Sequence, residues 1–175
     1  MIKVEVLGEY GIVFALRGLA LSYDSEPSMK VANNLAFKGD GHNKFLESID
    51  VWVEATLPRY MWQQYDTYRI GVTKQSQSTM HTILRKPVSQ ENFSGYVYPS
   101  TIKRLNRDIK GKKFDTVKDN LPESFLQKRV IKVDYKTLQS MERQRRSHKL
   151  KAWQEVLDSI LEQVEHPEWL QEGYE

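Results

Sequence analysis

Ile49, Val51, Val53 and Ala55 alternate with Asp50, Trp52 and Glu54, and Pro58 closes the run; no other feature of this sequence constrains the fold as much. A period of two puts every apolar side chain on one face, so residues 48–56 predict a half-buried strand that needs a covering layer. Pro58 suits a first helical turn, and the polar-aromatic run behind it predicts a helix over 58–70 with Gly71 as its C-terminal glycine. Further strands are predicted over 2–7, where Ile2, Val4 and Val6 alternate with Lys3 and Glu5, and over 128–134, around Val130 and Ile131.

Helical stripes occupy the rest. Ile12, Val13, Leu16, Leu19 and Ala20 predict a helix within 10–23, and short helical turns are expected near 30–36 and 42–47. Ile102, Leu105 and Ile109 mark a further short helix. Another is predicted over 135–147, and Leu150, Trp153, Leu157, Ile160, Leu161 and Val164 mark one over 150–165 that stops before Pro167. Residues 24–40 read as loop, 72–82 as a loop or the start of another helix, 110–120 as a connector and 121–127 as a turn or short helix. The predicted class is α/β, with a mixed or antiparallel sheet flanked by helices.

At 175 residues, 39% of them hydrophobic, the chain is expected to form one domain, 1–175, with its own core. Its formal net charge of +3 is far below the footprint of a dedicated nucleic-acid binder; an anionic small molecule explains it as well, and a nucleic-acid binder using Lys103 to Lys113 is only an outside reading. The basic residues Lys103, Arg104, Arg107 and Lys110 read as a solvated helix face. With no cysteine, disulfides and thiolate chemistry are excluded. His42, His81, His148 and His166 lack the spacing of a metal site, so no metal is expected. Neither a membrane-length apolar run nor a signal-peptide layout occurs, which predicts a cytoplasmic protein with no membrane partner. The absence of Gly-x-Ser-x-Gly, Walker and Gly-x-Gly-x-x-Gly patterns removes the common hydrolase, NTPase and Rossmann readings.

The chemistry-bearing residues concentrate between Phe45 and Thr82. Gln63, Gln64, Tyr68, Arg69, Ser76, Ser78 and Thr79 offer donors suited to a phosphate or a planar heterocycle. Structural roles compete with that reading. Arg59 and Arg69 have Asp66 and Glu54 as possible ion-pair partners, Trp52 and Trp62 suit a core or a subunit seam, and the hydroxyls suit a helix cap.

Taken in order, LALSYDS, the His42 to Glu47 spacing, Gln64 with Arg69, the hydroxyl run and LPESFLQKRVIKVDYKTLQSMERQRRSHKLKAW resemble the flavin-dependent thymidylate synthases, the ThyX family. Leu121, Pro122 and Leu138 match, Asp134 stands where the family has Asn, and Lys136 where it has Arg. Arg69 matches the last Arg of Arg-His-Arg, Tyr68 replaces its His and Thr67 its first Arg. Thr79 and Met80 fall where the family has Arg-Tyr, which passes the phosphate role to Lys74, to Arg85 or to nothing, and Ser48 replaces the second His of the early element.

The resemblance implies a homotetramer that binds a dUMP-like pyrimidine nucleotide with FAD for reductive methyl transfer, using NADPH and methylenetetrahydrofolate. It implies catalytic roles for Ser76 and Ser78, cofactor binding by Gln64, Tyr68, Arg69 and His42, and substrate binding by Arg145, Arg146 and Lys136. The competing reading is a ThyX scaffold that serves as a nucleotide-binding or regulatory interaction module without methyl transfer. Because Trp52, Trp62, Tyr65 and Tyr68 crowd one region, the 58–70 helix is expected at a subunit interface.

Overall fold

A computed structural model describes residues 1–174. In chain order the elements are β1 (Lys3–Tyr10), α1 (Ile12–Leu21), α2 (Met29–Leu35), a 3-10 turn (Lys44–Ser48), β2 (Asp50–Pro58), α3 (Arg59–Tyr65), β3 (Val72–Ser76), α4 (Thr79–Thr82), α5 (Pro99–Lys110), α6 (Phe114–Asp119), β4 (Leu126–Asp134), α7 (Tyr135–Arg145) and α8 (Ala152–Leu161). The four strands form one antiparallel sheet in the order β1-β2-β4-β3. Its hydrogen bonds fix the register: Gln77 N–H donates to the Lys128 carbonyl at 2.9 Å, and Asp134 N–H donates to that of Gly71 at 3.0 Å.

The alternation in β2 does what its period predicts. Val51, Val53, Ala55 and Leu57 are buried while Trp52 is 38% exposed.

Two compact units are distinguished by their internal contacts. One comprises Met1–Lys3, Ala55–Thr67 and Gln75–Arg129; the other comprises Val4–Glu54, Tyr68–Lys74 and the chain from Val130 onward. In the first unit, Ile83, Val88, Phe93, Val97, Leu105, Ile109, Val117 and Leu121 form a hydrophobic cluster. Trp62 is buried there too, donating its indole N–H to the Gln127 carbonyl at 2.8 Å beneath the Arg129 guanidinium, which lies 4.4 Å from the ring centroid. In the second unit Leu46, Ile49, Ile131, Leu138, Met141, Trp153 and Trp169 are fully enclosed, each aliphatic side chain contributing roughly 1.5–3 kcal/mol. Gly11 caps α1 at φ +104, where a Cβ would fall 2.2 Å from the Ser48 carbonyl oxygen.

Three local predictions need correcting. The helix predicted over 58–70 ends at Tyr65, because Gly71 does not cap it; Gly71 instead opens β3 at φ +69, against Asp134 and Thr137. Residues 72–82, read as a loop or the start of another helix, do hold the short helix α4 but begin with strand β3, whose pattern Val-Thr-Lys-Gln-Ser is too exposed to carry an apolar period because β3 ends the sheet. The connector contains α6, which forms around the fully buried Val117.

Candidate functional site

In the second unit, the turn 68–71 and the end of α7 bring Tyr68 and Arg145 together. Arg145 Nε–H donates to the Tyr68 hydroxyl at 3.1 Å, and that hydroxyl donates to Gln144 Oε1 at 3.0 Å. The guanidinium carbon lies 5.7 Å from the Tyr68 ring centroid and 5.3 Å from that of Trp153, so two aromatic faces hold it. The turn itself is pinned from below. Thr137 Oγ1 donates to the Ile70 carbonyl at 3.1 Å, Lys74 Nζ donates to that of Tyr68 at 3.1 Å, and Asp134 caps α7 by accepting the Thr137 N–H at 2.7 Å. Arg69, on this turn and not on a helix, is exposed and has no polar partner among the described residues.

Arg146 is differently placed. Its Nε and Nη2 meet both oxygens of the buried Glu142 carboxylate at 2.6 and 2.8 Å, and its Nη1 meets Asp158. The Glu142 hydrogen bonds raise its pKa above the ordinary value. Its charge is thus neutralised within the protein, whereas Arg145 meets no carboxylate; of the two, Arg145 is the one left to attract an anion.

A cleft of about 600 Å³ opens beside α7, lined among others by Phe37, Asn43, Lys136, Ser140, Arg143 and Arg146. Lys136 Nζ donates to Asn43 Oδ1. Asn43 is buried and its amide donates to the Ala36 carbonyl at 3.0 Å and to Gln139 Oε1 at 3.3 Å, so Lys136 is held on a rigid support. Arg143 and Ser140 are absent from the sequence prediction. The signal was available: 136, 140, 143 and 147 follow the spacing of one helix face, and all four line the cleft.

His42 lies elsewhere, exposed at a separate hollow of about 330 Å³ whose lining includes Phe14, Leu19, Tyr23, Phe45 and Ser48. Beneath the sheet end of this unit, Tyr135 donates to Glu9, and Glu9 accepts the Glu165 N–H at 2.5 Å. Burial raises the pKa of Glu9, and burial together with the Glu9 carboxylate raises that of Tyr135. This pair is structural.

Gln64, Ser76 and Ser78 belong to the first unit. The Gln64 carbonyl accepts from Thr67 Oγ1 at 2.7 Å. Ser76 ends β3, and Ser78 takes the cap position of α4 without a side-chain bond to it. Neither Ser hydroxyl has a polar partner among the described residues. Thr79 accepts from Lys118 Nζ at 2.7 Å, which places a further cation beside the degenerate motif. Thirty-nine residues separate the two, which no local pattern reveals. Arg59 pairs with Glu123 at 3.3 Å and Arg129 with Asp66 at 2.8 Å, which replaces the partners considered from sequence. Among the described residues no group of His, Asp and Glu is placed to hold a metal ion, and no helix is long and apolar enough to cross a membrane.

The four-stranded antiparallel sheet flanked by helices defines an α/β fold. At the level of sequence no family model and no curated protein matches the chain. By structure the fold is that of flavin-dependent thymidylate synthase. ThyX from Helicobacter pylori complexed with FAD and dUMP aligns with a TM-score of 0.83 over 99% of this chain and 100% of its own, at 17% identity. A second Helicobacter pylori ThyX structure with FAD and dUMP gives 0.78 over 98% of both chains, at 18% identity. The UMP/dUMP methylase PolB from Streptomyces cacaoi, bound with 5-Br UMP, gives 0.56 over 81% of this chain and 75% of its own, at 10% identity.

Proposed function

We propose that this chain is a divergent flavin-dependent thymidylate synthase-like protein that binds a dUMP-like pyrimidine nucleotide together with FAD for reductive methyl transfer. The observation that carries the reading is the likeness of the whole chain, end to end, to proteins solved with FAD and dUMP.

The donor set fits such ligands. Arg145 offers a planar fork already oriented by Tyr68 and Trp153, Arg69 adds an unengaged guanidinium, and Lys136 and Arg143 supply positive charge along the cleft. Gln64, His42 and the two unengaged hydroxyls of Ser76 and Ser78 complete the proposed residues. FAD, when bound, supplies hydride acceptance and delivery, with NADPH as the hydride source and methylenetetrahydrofolate as the carbon donor. The chain's own residues bind and orient the ligands. We place the protein in the cytoplasm as a homotetramer.

One observation favours a nucleotide-binding module without methyl transfer. Thr79 and Met80 stand where the family carries Arg-Tyr, and Thr79 is engaged by Lys118. A single experiment separates the two. The purified protein is incubated with FAD and dUMP, desalted and scanned for the oxidised-flavin band, then supplied with NADPH and methylenetetrahydrofolate and assayed for dTMP. Retained flavin with dTMP formation is the expected result. dUMP binding without flavin or product establishes the module, and binding of neither ligand overturns the reading.

A further inference from the structure

The first unit carries a polar pocket that the proposed chemistry does not use. Helix α5 is amphipathic: Leu105 and Ile109 face the core while Lys103, Arg104, Arg107 and Lys110 fall on the opposite side. Lys112 then turns the chain at φ +54, and α6 packs back through Val117 into the same core. Between the two helices lies a pocket of about 270 Å³ lined by Thr101, Arg104, Arg107, Asp108, Lys113 and Thr116, with Leu105 and Asn120 completing it.

The charges in this pocket are organised. Asp108, only 7% exposed, accepts from Arg107 Nε at 3.3 Å and Arg107 Nη2 at 3.4 Å, and Lys113 Nζ lies 3.9 Å from it. One carboxylate therefore fixes one arginine and steadies a lysine, and Arg107 keeps its Nη1 donors unengaged. Arg104 has no polar partner among the described residues. Three cations against one carboxylate leave 3 − 1 = +2, with the Thr101 and Thr116 hydroxyls as additional donors. Asn120 donates to the Thr116 carbonyl at 2.8 Å, which closes the α6 side of the pocket.

We propose that this α5–α6 pocket is a binding site for a dianionic phosphate group. The net charge matches a phosphomonoester, which carries about −1.5 to −2 at neutral pH. Guanidinium forks suit its tetrahedral oxygens. At about 270 Å³ the pocket has room for a phosphate group and lies just below the roughly 300–1,000 Å³ of pockets for drug-sized molecules. A divalent cation is the wrong partner, since Asp108 is the lone carboxylate in the lining.

The test uses the full chain labelled with 15N and titrated with inorganic phosphate, with phosphoserine, and with sodium chloride at matched ionic strength. Amide shifts at residues 101–120 that saturate with phosphate and not with chloride are expected. Saturation by phosphoserine as well assigns the site to a phosphorylated group carried on a larger molecule, whereas saturation by inorganic phosphate alone assigns it to the free ion. The Arg104→Gln, Arg107→Gln double variant is expected to lose at least tenfold in affinity. Lys103→Gln with Lys110→Gln removes the same charge from the same helix but outside the pocket, and is expected to bind as the parent does. Shifts equal to those caused by chloride, or equal weakening in both double variants, overturn the proposal. Neither pair includes a residue assigned to FAD or dUMP, so the outcome is independent of the methyl-transfer reading.

Discussion

Arg145 is bonded to the Tyr68 hydroxyl through Nε at 3.1 Å, which leaves its two terminal nitrogens to meet an anion. An orientation fixed before binding lowers the ordering cost that a free arginine would incur. Arg145→Ala is expected to weaken dUMP binding by about 1.5–3 kcal/mol, the scale of a charge-assisted hydrogen bond. Arg145→Lys keeps the charge but loses the fork and the stacking, and is expected to recover less than half of that loss. Calorimetric titration decides it; unchanged affinity in both variants would remove Arg145 from the site.

Tyr68→Phe preserves the ring near Trp153 but deletes the hydroxyl shared by Arg145 and Gln144. Nucleotide affinity is expected to fall by about 0.5–1.5 kcal/mol, the net worth of a neutral hydrogen bond, with little change in melting temperature. A large loss of stability with unchanged affinity would make the Tyr68 hydroxyl a folding element alone.

Arg146→Ala should act in the opposite way. Its removal strands the buried Glu142 carboxylate, so stability should fall by about 2 kcal/mol, below the ~3–5 kcal/mol of a wholly buried pair because Arg146 keeps some solvent contact. Urea unfolding measures this. A variant as stable as the parent but defective in nucleotide binding would reverse the assignment of the two arginines.

The sequence made the scaffold legible wherever one face of an element is buried. Val51 and Val53 in β2, Leu138 in α7 and the Trp153 to Leu161 stripe of α8 each declared their period. It hid β3, whose edge position leaves Thr73 and Gln75 exposed, and it misread Gly71, where a Cβ would collide with the Asp134 carboxylate from a distant segment. The site divides differently. Lys136, Arg145 and Arg146 were named because their order along the 134–153 run resembles that of the ThyX family, not because of a local period. That Arg146 is neutralised while Arg145 is stacked depends on Asp158, Glu142, Tyr68 and Trp153, contacts that span several elements and leave no local pattern.

Asp134 links that turn to pH. Burial holds its pKa above the ordinary 3.8, against the lowering effect of its bonds to Thr137. The unfolded chain therefore releases this proton first, and the stabilisation it gives at low pH is lost as pH rises from 3.8 through the higher folded value. Asn at this position keeps the cap oxygen without the charge. Asp134→Asn is expected to be the more stable protein at neutral pH, with the gap between the two narrowing toward pH 3.8 in urea unfolding. A gap that widens as pH falls would contradict the sign.

The proposed homotetramer needs an apolar contact surface. Trp62, which the sequence assigned to a core or a subunit seam, and Tyr65, part of the aromatic load behind the interface expected on the 58–70 helix, are buried within the chain at 1% and 2% exposure. Helix α1 instead presents Val13, Phe14 and Leu21 at 72%, 77% and 79% exposure, a cluster of large apolar side chains of the kind that marks an association surface. Phe14→Glu would bury an unpaired charge in any interface formed there and cost nothing in the isolated chain, where the side chain already meets solvent. The parent is expected to elute as an oligomer at micromolar concentration, and Phe14→Glu as a smaller species with an unchanged circular dichroism spectrum. Light scattering coupled to size exclusion reads both. A parent that is monomeric, or a variant that keeps the parent's mass, would rule out α1 as the contact.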